Sequence, residues 1–237
     1  EIEPAPKWEW PRLHLLAGRP FADPFLGPEL YPELSAGTLI TAESLRPSGE
    51  IAYTSWIDLQ IYLLEVKIPL INRIDGGEPG AENVRVNLKF PYAIPGHESH
   101  RLMLVAGAVV QDSTPAISRS SSAQVIYGYG GHGFTAQLRG GYGYDQFAPS
   151  QRLRLGLLYG ALLGYRAGPI QPMVEFDAMR TSATQSDRFT LVPALRIFPG
   201  REDTVQIGLG GLLSFSHGED TPGRRFGAVF DVTYNFL

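Results

Sequence analysis

The sequence predicts an all-β chain: an antiparallel transmembrane β-barrel of ten strands, alternatively twelve, preceded by an extended Pro-rich arm. Three observations predict it. From about residue 38 onward, apolar and polar side chains alternate with a period of two, the signature of strands with one apolar and one polar face. The alternating segments run about 11–15 residues, long enough for the 9–11 that a tilted strand needs to cross hydrocarbon, whereas soluble strands average about 5–6. Their apolar faces begin or end in Tyr or Phe, as amphipathic rings do at the two water interfaces of a membrane barrel.

Composition narrows the rest. The 237 residues carry 20 basic and 24 acidic side chains, a net charge of −4, so the basic footprint of a nucleic-acid binder is missing. Cysteine is absent, which removes disulfides, thiolate metal sites and cysteine nucleophiles together. No apolar run approaches the roughly 20 residues of a membrane-spanning helix. Opening on Glu1 and not Met is expected of a processed chain, with no signal peptide left to read.

Residues 1–37 form the arm. Pro4, Pro6, Pro11, Pro20, Pro24, Pro28 and Pro32 exclude a long helix or a central strand. Trp8, Trp10, Phe21, Phe25 and Tyr31 lie between them, and disordered tails are poor in aromatics. The arm is therefore expected to dock, as a plug in the barrel mouth or on a periplasmic or surface protein partner. Residues 38–237 are the barrel, with strands expected at 51–70, 82–92, 101–112, 121–130, 133–145, 151–166, 168–181, 187–198, 203–216 and 224–237. The segment 38–47 is an extra candidate, and parity would then require a twelfth strand, with Arg12–Gly18 available.

The first of these strands is irregular. Its apolar set runs Ile57, Leu59, Ile61, Leu63 and then changes parity to Leu64, Val66, Ile68, Leu70, with Asp58 and Gln60 on one parity and Glu65 and Lys67 on the other. With no Gly or turn signal there, the flip reads as a β-bulge near Leu63 or an extension beyond the membrane. The later strands are regular. Leu153, Leu155, Leu157, Tyr159, Ala161, Leu163 and Tyr165 oppose Arg152, Arg154, Gly156, Gly160 and Gly164, and Ile170, Pro172, Val174, Phe176 and Ala178 oppose Gln171, Glu175 and Asp177. Short connections at 130–133, 167 and 199–203 alternate with longer ones at 145–151, 181–187 and 216–223, as periplasmic turns alternate with external loops. An even strand count then puts both chain ends on the periplasmic side.

Face assignment gives the candidate functional residues. Arg85, Lys89, Arg139, Arg154 and Arg196 are expected to point into the lumen with Asp58, Glu175, Asp177 and Asp231. The mixture of signs fits paired charges filling a narrow barrel better than a single-sign ring that selects an ion. Gly141, Gly156, Gly160, Gly208 and Gly210 share that face and leave room for the long side chains. Tyr127, Tyr129, Tyr142, Tyr144, Tyr159, Tyr165, Tyr234 and Phe236 are assigned to the aromatic girdle.

Catalytic chemistry is thin. His97 and His100 flank Glu98 in a short turn, a spacing that reads as a solvated turn and not as a preformed metal site. Ser214, Ser216 and His217 gather near one rim without a triad pattern. Gly128, Gly130, Gly131 and Gly133 have no helix behind them and are turn residues, not a phosphate loop. No enzyme activity, metal or cofactor is expected.

The terminal segment 226–237 resembles the closing strand of bacterial outer-membrane barrels, with its aromatic, Phe236, one residue short of the end. The stretches NVRVNLKFP (83–91), Leu102–Val110, IQPMVEF (170–176) and LVPALRIF (191–198) resemble the transporter-type barrel family of meta-cleavage phenol-degradation operons, over about half the chain. That resemblance implies an outer-membrane location, contact with outer-membrane lipid, and passive passage of small apolar molecules. The alternative is a structural barrel that anchors or seals a cell-envelope assembly through its arm.

Overall fold

The structure, a computed structural model, describes residues 33–43, 51–74, 84–97, 99–110, 119–147, 152–181, 186–200, 204–217 and 223–236. These form twelve strands: β1 Glu33–Glu43, β2 Ile51–Ile61, β3 Leu64–Ile74, β4 Val84–Ala93, β5 His100–Val110, β6 Arg119–Gly131, β7 Phe134–Phe147, β8 Arg152–Tyr165, β9 Ile170–Thr181, β10 Ser186–Ile197, β11 Val205–His217 and β12 Gly223–Asn235. Each pairs antiparallel with its sequence neighbours, and β1 pairs with β12 from Glu33↔Asn235 to Glu43↔Arg225, so the sheet closes. Closure is what lets a sheet stand in lipid without a free edge strand, although β3 and β4 pair only from Leu64↔Leu88 to Lys67↔Arg85.

Twelve strands, not ten, is the first correction, and the segment 51–70 accounts for half of it. The expected long strand is a hairpin, β2 and β3, joined by Tyr62 and Leu63 alone. In a two-residue hairpin the flanking residues face each other across the ladder, here Ile61↔Leu64, then Gln60↔Glu65 and Asp58↔Lys67. Residues of opposite parity therefore share a face, and the parity flip is the turn itself. Its signal was missing because the residue in the left-handed region is Tyr62, at φ 50°, where Gly, Asn or Asp is usual. A bulge does exist in this hairpin, but farther up, where the register slips between Ser55 and Trp56. The other added strand is β1, which overlaps the candidate 38–47. It takes in Glu33–Gly37, and the remainder of the arm, including Arg12–Gly18, lies outside the described residues.

The hairpin β6–β7 turns on His132 and Gly133, at φ 51° and 81°, the two positive values of the turn type that matches strand twist. A Cβ on Gly133 would sit 3.0 Å from the Arg166 carbonyl oxygen. Both ends of the closed barrel, Glu33 and Asn235, lie opposite one another at the same rim as these tight turns. We call it the short-turn rim.

Alternation sorts side chains between two environments. On β9, Gln171, Met173, Glu175 and Asp177 are buried inside while Pro172, Val174 and Phe176 are exposed outside. The outward set includes Leu34, Ile40, Leu88, Phe90, Leu104, Val125, Leu138, Leu157, Leu163, Leu191, Leu209, Phe226 and Phe230, spread around the wall. A continuous apolar belt of that extent is incompatible with water and is the surface of a barrel that spans a membrane.

Candidate functional site: the lumen

Three polar clusters occupy the inner wall. In the first, from β2, β3 and β4, Lys89 Nζ lies 3.1 Å from Glu65 Oε1 and donates to Gln60 Oε1 at 2.8 Å. Asn87 Nδ2 donates to Glu65 Oε2 at 2.7 Å, Asp58 stands opposite Lys67, and Lys67 Nζ is 4.6 Å from the centroid of the Trp56 ring. In the second, Arg139 of β7 reaches Asp177 and, at 3.5 Å, Glu175, both on β9. In the third, Arg196 of β10 donates from Nη1 to Gln206 Oε1 at 2.8 Å and from Nη2 to Asp231 Oδ2 at 3.3 Å. Gln171 Nε2 donates to Thr135 Oγ1 at 3.3 Å beside them. Lys89 is 0% exposed and Arg196 1%, so these charges are removed from water and rely on one another.

The described sequence-assigned lumen charges thus point inward: Asp58, Lys89, Arg139, Glu175, Asp177, Arg196 and Asp231 are buried or nearly so, and Arg85 shares the inward parity of Asn87 and Lys89 while half-buried. The side chain of Arg154 lies outside the described residues. Parity reasoning missed Glu33, Glu65 and Lys67, which are equally inward. For the last two the signal was present, since they follow from the parity flip once it is understood as a hairpin.

The lumen also holds apolar side chains. Leu39, Trp56, Val192, Leu212 and Val229, from β1, β2, β10, β11 and β12, form one buried cluster near mid-strand. Met103, Val105 and Ile126 form a second, and Leu162 with Met173 a third. Each stands on the parity of lumen residues; Val229 alternates with Gly227 and Asp231, for example. At mid-height one sector of the inner wall is therefore apolar, and the sector of β7 and β9 carries Arg139, Glu175 and Asp177.

No protein-family profile and no curated protein matches this chain. Solved structures do. An outer membrane channel from Pseudomonas putida F1 is 9% identical with a TM-score of 0.62, over 87% of this chain and 96% of that one. The β-domain of a Bordetella autotransporter is 11% identical with a TM-score of 0.50, over 87% of this chain and 100% of that one. The fold is that of outer-membrane β-barrels.

The girdle residues fall into two groups. Tyr127, Tyr129, Tyr165, Tyr234 and Phe236 stand outward near the short-turn rim, with Phe134–Tyr165 rings 4.7 Å apart and Tyr234–Phe236 rings 5.0 Å apart. Tyr62 and Tyr92, not assigned from sequence, are exposed at the same rim. Tyr142 is exposed toward the opposite rim, and the Tyr144 side chain is outside the described residues. Tyr159 stands at the middle of β8, its ring 6.4 Å from Phe176. His97 and His100 are 5.7 Å apart, and His100 Nδ1 hydrogen-bonds the Tyr127 hydroxyl. Ser214 Oγ is 3.2 Å from Thr190 Oγ1, and Glu98 and the Ser216 side chain lie outside the described residues. Among the described residues no group of three or more His, Asp or Glu could hold a metal ion.

Proposed function

We propose that this chain resides in the outer membrane and acts as a narrow, passive conduit for small apolar solutes, as its resemblance to the barrels of meta-cleavage phenol-degradation operons implies. The apolar cluster of Leu39, Trp56, Val192, Leu212 and Val229 carries the reading. Porin lumens are polar and hold a water column. An apolar sector at mid-height resists wetting and disfavours a hydrated ion, which must shed water to pass. An apolar solute sheds nothing there. The likeness to an outer membrane channel supports the same class.

The test compares uptake of a labelled aromatic hydrocarbon by cells carrying the barrel or its Leu212→Asp variant, alongside ion conductance in planar bilayers. Low conductance with uptake that falls in the variant is the expected result. Large ohmic conductance, with hydrocarbon uptake indifferent to Leu212, rejects the conduit for apolar solutes. A second reading, a structural barrel that seals or anchors an envelope assembly, is favoured by the near-total burial of inward side chains such as Lys89 and Met103. It requires that no solute cross and that an envelope protein co-purify.

A further inference from the structure

The outer wall carries a feature that the lumen does not use. Between β10, β11, β12 and β1 lies an apolar groove of about 440 Å³. Ile40, Pro193, Leu209 and Phe230 stand along its sides, and Gly211 and Ala228 form its floor. The floor is low because Gly211 and Ala228, direct partners across β11 and β12, put no side chain and a single methyl at facing outward positions. A Cβ on Gly211 would meet nothing nearer than Pro193 Cγ at 4.0 Å, so the space is real and not closed by a neighbour.

We propose that this groove seats one acyl chain of a phosphorylated lipid from the external leaflet, with Arg224 engaging its phosphate. The inference rests on the membrane reading and not on the nature of the solute. Two observations fix the leaflet. Arg224 is exposed and shares the outward parity of Phe226, Ala228 and Phe230 on β12, four residues above Ala228 toward the long-loop rim. At about 3.4 Å per residue along a tilted strand, that places a guanidinium near the headgroup level directly over the groove. At the short-turn rim the described outward residues at the ends of the same four strands are Leu34, Ile197, Val205 and Tyr234, none of them a cation. Among the described residues of these strands, charge and groove therefore line up for the external leaflet.

The probe is diphosphoryl lipid A, added to the full chain purified in mild detergent and read by native mass spectrometry. The parent protein should form a one-to-one adduct. Gly211→Leu fills the groove from the lipid side and should lower adduct formation by about fivefold or more, and Arg224→Ser should lower it while leaving the groove intact. Ala106→Leu, an outward substitution on β5 away from the groove, should change nothing. A gel shift on boiling verifies that each variant is a closed barrel. Equal adducts in the parent and Gly211→Leu overturn the proposal. So does a dimer of the chain that Gly211→Leu dissolves, which would assign the groove to a second copy. Equal adducts with dephosphorylated lipid A, indifferent to Arg224→Ser, overturn the phosphate contact and with it the choice of leaflet.

Discussion

Gly160 stands on the inward face of β8, opposite Arg139 of β7 and Asp177 of β9. A Cβ there would lie 2.5 Å from Asp177 Oδ1 and 2.8 Å from both Arg139 Nε and the Phe176 carbonyl. The backbone contact cannot yield, so the missing methyl is a condition of the ion pair. Gly160→Ala should lower stability by about 1–3 kcal/mol, the cost of overpacking, read as a shift of the urea midpoint for unfolding from micelles. Arg139→Met should cost more, about 3–5 kcal/mol, because it leaves the buried Glu175 and Asp177 without their guanidinium. If both variants unfold with the parent, the cluster is not a structural unit. The β6–β7 turn makes a second residue-scale expectation. Gly133→Ala should destabilise, since φ 81° and a contact of 3.0 Å oppose a side chain, whereas His132→Asn should be neutral or stabilising by about 0.5 kcal/mol. Opposite signs in the same urea assay would refute the left-handed geometry.

At the level of the strand, alternation made most of the barrel legible, because lipid and lumen impose opposite demands on successive side chains. It failed where the turn chemistry was atypical. Tyr62 and Leu63 turn a hairpin without Gly, Asn or Asp, so β2 and β3 read as one bent strand and Glu65 and Lys67 were left off the lumen. The apolar lumen cluster was harder to read for a different reason. Trp56 and Val229 are hydrophobic at inward positions, and a two-letter pattern assigns hydrophobic to lipid. Burial also changes how the faces must be tested. Gln171, a natural lumen control for a lipid-facing substitution, is 2% exposed and bonded to Thr135, so a longer side chain there would itself disrupt packing. Ala93, exposed at the short-turn end of β4, is the better comparison. Val174→Arg places a cation in hydrocarbon and should cost about 2–4 kcal/mol, whereas Ala93→Arg, near the interface, should cost about 0–1. Similar losses of folded, boil-resistant protein from the two variants would contradict the assignment of β9 faces.

For the whole molecule, the outstanding relation is between the closed wall and the chain that precedes it. β1 starts at Glu33, whose side chain is inward and buried at the short-turn rim, so residues 1–32 join the barrel at the edge of the lumen mouth. At about 3.1 Å per residue for a Pro-rich extended chain, such a length reaches farther than the barrel is tall. Its seven prolines reduce the entropy lost on docking, and its five large aromatics gain by leaving water. An apolar lumen sector around Trp56, with Arg139 and Glu175 across from it, offers such a segment both packing and polar partners. The truncation should stop at residue 32, because a cut at 37 would remove the first five residues of β1 and with them the β1–β12 closure at this rim. Deleting residues 1–32 should raise single-channel conductance in planar bilayers, with the heat-modifiable gel shift retained. Unchanged conductance together with loss of a co-purifying envelope protein would instead make the segment an anchor. If neither changes, and protease removes the segment from the intact barrel as fast as from the denatured chain, docking fails and the lumen must be closed by its own inward side chains.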